Sequence, residues 1–377
     1  TLLNALTQVP DLKVPARTSS FFFKGQDLDI REIASKLGVA KVLEGSVQRD
    51  GNKMRITAQL IEAETGFHLW SSTYDRELEG IFDVQDDIAR NVAVAVRASF
   101  AADKAPGGSK LPAVGTTNLG AYDAYLQGRE LVYARTDLDE ATEHLTRSVR
   151  LDDSFAEAHA ELAIALLLGG RASLMTSADA RRIAVSHLDR AESLKPDLAL
   201  AMAGRALLNW RRDPESAIKH ATAALQRNPS SVDAMNWLQR ALIRLGRYEE
   251  GQAVLKEMVA VDPMNAMVFA NYIDLLVETS QCEEAHSYAE RMLGIEPSTA
   301  YTYLAVVAGY CDGELAKALG WDLRVLNEND ISMWVFAALG EYAEARRVAP
   351  FRDYWMDLME GRFDEAIEAT RRNMQQY

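Results

Sequence analysis

LGRYEEGQAVLKEMVAVDP, Leu245 to Pro263, carries a glycine near its start, a second small residue at Gly251 and a proline at its end. Counting outward from that proline decides the fold. Prolines that follow an apolar helical turn and one polar residue stand at 196, 229, 263 and 297, at spacings of 33, 34 and 34 residues. A nearly constant period in this range marks an array of helical units, none of which can bury its apolar face alone. Proline suits the joint because it lacks a backbone donor and clashes with the preceding turn, so each helix stops there. Twelve residues before the prolines stand Ala184, Ala217, Gly251 and Ala285, and the flanking segments hold Ala141, Ala345 and Ala366 at the same place. A small side chain there lets the two helices of a unit approach closely. Leu238, Leu242 and Leu255 fill the rest of one seam, and Tyr272, Leu276 and Met292 fill the next.

At 377 residues, 48% hydrophobic and 25% charged, the chain is long enough for two domains with their own cores. Its net charge of -14 falls mostly beyond residue 100, which argues against nucleic-acid binding, since that needs clustered Lys and Arg. No apolar run reaches the 18 or so residues of a membrane span, and no signal peptide opens the sequence. TLLNALTQVP reads as the middle of a helix, so the chain is expected to be a piece of a longer protein, with any membrane segment outside it.

The first hundred residues have another texture. DIREIASKLG (Asp29 to Gly38) is an amphipathic helix with Ile30, Ile33, Ala34 and Leu37 on one face and Gly38 as its stop. The apolar period then falls to 2. AKVLEGSVQRD, a tight turn at Asp50 to Asn52, and KMRITAQLIEA predict a hairpin, and FHLWSSTYDR predicts a third antiparallel strand. LKVPARTSS reads as a further strand and IFDVQDDIARNVAVAVRASF as a closing helix. AADKAPGGSKLPAVGTTN (101 to 118) is rich in Pro, Gly, Ala and Ser and reads as a flexible linker.

LGRYEEG and LGEYAEA (Leu339 to Ala345) resemble the turn between paired helices of tetratricopeptide repeats, and the resemblance extends over about 119 to 377. It implies an all-α superhelix of six or seven units, following a small α/β domain with a mainly antiparallel sheet. GGRASLMTS (Gly169 to Ser177) lengthens one unit, Asp153 stands where the first unit would have proline, and the register slips after Pro297 until MEGRFDEAIEA. ARTSSFFFKG, DIREIASKLGV, VLEGSVQRDGNKMRITAQLIEAETGFHLWSSTYDR and IFDVQDDIA resemble the TolB-amino-terminal-like domain that precedes such repeats in bacterial signalling proteins. In that family the pair follows an adenylate or guanylate cyclase domain or a winged-helix domain. The resemblance covers residues 1 to 100 but lacks the family's first strand, which implies an unpaired sheet edge and a homodimer, or a strand supplied in trans.

No catalytic chemistry is legible. There is no Gly-rich phosphate loop, GxSxG turn or HExxH pair, the six histidines lack metal-ligand spacing, and no cofactor, metal or catalytic residue is expected. Asp86 with Asp87 and Glu249 with Glu250 are charges on solvated helix faces. What remains is binding of a protein or peptide partner. The repeat resemblance implies a concave groove lined by Leu200, Ala203, Leu207, Trp210 and Arg211, then Asp233, Asn236, Arg240, Ile243 and Arg244, then Met267, Ala270, Asp274, Val277 and Glu278. Asn236 is the residue type that clamps peptide backbone in carboxylate-binding relatives. Arg240 and Arg244, one turn apart, fit either an anionic ligand or ion pairs with Asp274 and Glu278 of the next unit. Trp210 is either an aromatic anchor or a packing residue. Stacked units bring their turns to one edge, where Cys282 and Cys311 are placed either to bridge or to stay as two free thiols. A bridge would suit the periplasmic face of the inner membrane, and free thiols the cytoplasm. Two functions stand: a sensory region that regulates a cyclase or winged-helix output domain, and a cell-envelope assembly scaffold.

Overall fold

The computed structural model describes residues 14–26, 28–51, 53–77, 115–169 and 175–313. The chain divides into two compact units, Thr1–Met264 and Asn265–Tyr377, taken here one at a time. The expected helices at TLLNAL and at IFDVQDDIA, most of the linker, and the repeats after Gly313 lie outside the described residues.

The first unit opens with α1 (Arg17–Phe22) and α2 (Ile30–Leu37). Helix α2 starts where the Asp29 carboxylate accepts the Arg31 N–H, and it ends at Gly38, whose φ of 65° is a conformation that glycine adopts without steric cost. Three antiparallel strands follow in the order β1 (Lys41–Asp50), β2 (Lys53–Glu62) and β3 (His68–Glu77). The turn at Gly51, φ 57°, sets the register Asp50 to Lys53. Met54, Ala58 and Leu60 of β2 and Tyr74 of β3 are buried, whereas β1 is open beyond Leu43 and leaves Val47 65% exposed. Among the described residues β1 and β3 are both edges.

One expected strand is a helix. LKVPARTSS leads into α1, because the backbone donor of Ala16 goes to the Val261 carbonyl at 2.7 Å, within the repeats, and so joins no sheet ladder.

The repeats of this unit are four helical pairs. They are α3 (Leu119–Ala134) with α4 (Leu138–Leu151), α5 (Ala156–Leu167) with α6 (Ser177–Leu194), α7 (Ala199–Asn209) with α8 (Pro214–Arg227), and α9 (Val232–Arg244) with α10 (Tyr248–Val261). Side-chain oxygens of Asn118, Asp137, Thr176, Asp213 and Ser231 cap their helices. The recurring small residue is a contact point: Ala141, Ala184 and Ala217 are wholly buried, and a Cβ on Gly251 would stand 2.9 Å from Ile243 Cγ1. Gly128 is tighter still, at 2.6 Å from Leu145 Cγ and 2.9 Å from the Ala141 carbonyl. Leucine, isoleucine and alanine from α3 to α9 form one core that includes Leu145, Ile164, Leu188 and Trp237.

The second unit begins with α11 (Ala266–Glu278), α12 (Cys282–Met292) and α13 (Pro297–Tyr310). Tyr272, Leu276, Ala285 and Met292 are its fully buried seam. The described helices thus make five pairs and the first helix of a sixth.

Candidate functional site

Within the first unit, the first helices of repeats one and four meet on one side of the array, called here the inner side. Arg135, which ends α3 in a left-handed turn at φ 55°, reaches Asp233 at the start of α9, Nη2 to Oδ1 2.7 Å. That ion pair links the first repeat to the fourth across the inner side. On α3, Tyr125, Arg129 and Tyr133 recur every four residues, so they share one stripe. The Arg129 guanidinium donates to Tyr133 Oη at 2.8 Å and stands 5.6 Å from the Tyr125 ring and 4.9 Å from the Tyr133 ring.

Opposite this stripe is Glu161 of α5. Its carboxylate is 1% exposed, and neither oxygen has a hydrogen-bond partner among the described residues. Burial pushes its pKa up to about 7, Arg129, Arg135 and Arg17 oppose the rise, and Asp233 adds to it. Burial also raises the phenols of Tyr125 and Tyr133. It disfavours the Arg129 charge, but Tyr125, Tyr133 and Glu161 restore it and hold the guanidinium above its ordinary value.

The neighbouring region is cationic and aromatic. Trp210, the residue that ends α7, stacks on Trp237 with ring centres 6.3 Å apart. The Arg211 and Arg240 guanidinium groups lie 4.7 and 5.5 Å from the Trp210 ring. Asn236 is brought into the same wall but is only 2% exposed, and its Oδ1 accepts from Gln239 Nε2 at 3.3 Å. Arg244 is exposed. Asp274 and Glu278 belong to the second unit, where both are exposed and Asp274 Oδ2 accepts from Tyr303 Oη at 3.4 Å. Ala203 and Leu207, expected in the groove, are core residues at 1% and 7% exposure. Ala203 packs with Ala224 of α8 and Ala234 of α9, and Leu207 joins the main core.

Sequence reasoning passed over Tyr125, Arg129, Tyr133 and Glu161. The signal was present: the four-residue spacing on α3 marks an inner stripe once the unit is aligned on Gly128, which seats it against Leu145. On the opposite face of α5, His159 Nδ1 meets His187 Nδ1 at 2.8 Å, and burial with the neighbouring ring lowers His187 to about 4.

In the second unit Cys282 and Cys311 are joined, Cα to Cα 5.5 Å. Among the described residues no His, Cys, Asp or Glu cluster could hold a metal ion, and no helix is long and apolar enough to cross a membrane.

Residues 211–271 match the tetratricopeptide repeat family. The chain is also 40% identical over 168 residues to "Putative adenylate cyclase 3" of Rhizobium meliloti (strain 1021), a stretch that is 44% of this chain and 28% of that protein. Among solved structures, the chain is similar to Pseudomonas aeruginosa PilF, at 16% identity and a TM-score of 0.41 over 54% of this chain and 90% of that one. It is also similar to YrrB, described as a TPR protein with an unusual peptide-binding site, at 16% identity and a TM-score of 0.35 over 59% of this chain and all of that one.

Proposed function

We propose that the chain is the non-catalytic, partner-sensing region of a bacterial signalling protein, and that a peptide or protein held by the repeats sets the output of an adenylate or guanylate cyclase domain elsewhere in that protein. The observation that carries this reading is the 40% identity over 168 residues to a relative named as an adenylate cyclase. That stretch is 28% of the relative, so most of the relative lies beyond the similarity. A groove of this kind regulates by binding one state of the whole protein better than another, which shifts their populations. The open β1 edge offers a route to a homodimer, the form through which a dimeric output domain would be controlled. The test is cyclic-nucleotide formation from ATP and from GTP by the full-length protein, with Trp210→Ala and Arg240→Glu in the groove. A shift in output at unchanged folding is expected. No cyclase activity, or activity indifferent to both changes, rejects the reading.

The disulfide supports a periplasmic address, which suits a sensory region on the periplasmic face of the inner membrane and, as a second reading, an envelope scaffold. Thiol titration of unfolded protein taken from cells without reductant is expected to find none, and two free thiols would remove this support.

A further inference from the structure

A segment of this chain is docked on the repeats, between α3 and the joint that follows α10. Ala16 to Phe23 lies along repeats one and four. Ala16 is extended and donates to the Val261 carbonyl. Ser19 is wholly buried: its N–H donates to Asp262 Oδ1 at 3.0 Å, its hydroxyl donates to the same oxygen, and Met264 N–H donates to Ser19 Oγ at 2.8 Å. Asp262 and Pro263 form the joint after α10, and the fully buried Asp262 accepts both Ser19 bonds through Oδ1. At the other end the Arg17 guanidinium pairs with Glu130 of α3 and stands 5.8 Å from the Tyr133 ring. Arg17 also opposes the burial-driven rise at Glu161.

The two anchor points differ from ordinary domain packing. They read one arginine and, two residues later, one small hydroxyl, and the backbone ahead of them is read by a carbonyl. Arg17 itself is about one-third exposed and Glu130 62% exposed, so this anchor can open without disturbing the core.

We propose that the surface formed by α3 and the joint after α10 is a receptor for an Arg-x-Ser or Arg-x-Thr peptide, and that residues 16 to 23 occupy it in cis as a displaceable latch. The partner is a segment that enters extended and turns helical at an arginine placed two residues before a small hydroxyl residue, as Ala16 and α1 do here. Glu130 and Tyr133 take the guanidinium, Asp262 takes the hydroxyl and its N–H, and the unpartnered carboxylate of Glu161 attracts the cation behind them. Phosphorylation of the hydroxyl residue would place it against Asp262 and prevent binding. This inference rests on the reading of the repeats as the partner site.

The test uses the whole chain and a labelled peptide of residues 14–24, VPARTSSFFFK. Binding is measured by fluorescence anisotropy to the natural chain and to the Arg17→Ala, Ser19→Ala double variant. If the latch fills the site nine times in ten, the unlatched chain binds the peptide about tenfold more tightly than the natural chain. A peptide with alanine for the arginine, or the addition of Glu130→Lys to the unlatched chain, should remove that gain. Equal affinity for both chains, or no binding by a double variant that melts within a few degrees of the natural chain, overturns the proposal. A double variant that unfolds shows the segment to be a structural brace and overturns it as well. Because the assay contains no cyclase readout, a groove-sensitive cyclase alongside failed peptide binding would remove the latch and leave the regulatory reading in place.

Discussion

The two ends of the inner face solve the same problem with opposite chemistry. Repeats one and two place carboxylates and phenols around a cation, with Glu161 and Tyr125 buried and Arg129 between them. Repeats three and four lay Arg211 and Arg240 on the face of Trp210, which rests on Trp237. The first end sequesters a titratable group, so its stability depends on pH. The second spreads permanent charge over a ring, so its stability does not. One repeat fold thus offers a cation-seeking end and a cation-presenting end, and the difference lies in a few side chains on helices of the same kind.

The largest expected effect comes from moving the stripe at the first end. A Cβ at Gly128 meets both the Leu145 side chain and the Ala141 carbonyl, whereas a Cβ at Gly251 meets Ile243, a side chain that can turn away. Gly128→Val is therefore expected to cost about 3 kcal/mol and Gly251→Val about 1 to 2 kcal/mol in urea unfolding. Equal costs would mean that the first repeat adapts as easily as the fourth, and the comparison would lose its structural basis.

The next effect is the pH dependence itself. Glu161 has a folded pKa of about 7 against an ordinary 4.5, so the folded protein binds a proton that the unfolded chain releases. The Glu161 contribution is fully present below about pH 4.5 and is lost as pH rises through 7, on the order of 3 kcal/mol. His187 acts in the other direction, because its folded value near 4 lies below 6.5 and its contribution is lost as pH falls through that window. Unfolding measured from pH 5 to 8 sets these two opposed contributions against each other, so the Glu161→Gln line should rise with pH relative to that of the natural chain. A slope unchanged by Glu161→Gln would show that the carboxylate finds water or a cation that neutralises it.

The array was legible because its signal repeats: Pro196, Pro229, Pro263 and Pro297, with a small residue at a fixed distance, state the same packing rule several times over. The hairpin was legible for a similar reason, since alternation and the Asp50-Gly51 turn agree. The candidate site divides along the same line. Trp210, Asn236 and Arg240 fall in the regular repeats, where counting works, while Tyr125, Arg129 and Glu161 fall where Asp153 replaces the proline and a longer turn intervenes. Burial separates the rest, because no local pattern tells that Asn236 would be covered or Glu161 left without a partner. The docking of Arg17 and Ser19 on residues more than a hundred positions away has no local signature at all. LKVPARTSS carries the alternation of a strand, and only the distant Val261 carbonyl and Asp262 carboxylate decide otherwise.

The smallest effect tests the second end. Arg240 stands 5.5 Å from the Trp210 ring and shares it with Arg211, so no single cation owns the interaction. A double-mutant cycle of Trp210→Leu with Arg240→Met keeps apolar bulk at both places and removes the cation and the ring face. The coupling expected is about 0.5 to 1 kcal/mol, the range for a partly solvated cation on an aromatic face. Neither group titrates between pH 5 and 8, so the coupling should be the same at both limits. A coupling that grows with pH would mean that the Glu161 charge reaches Arg240 through the Arg135–Asp233 bridge. The two ends would then be one electrostatic unit, and the latch at the first would be felt by whatever the second one binds.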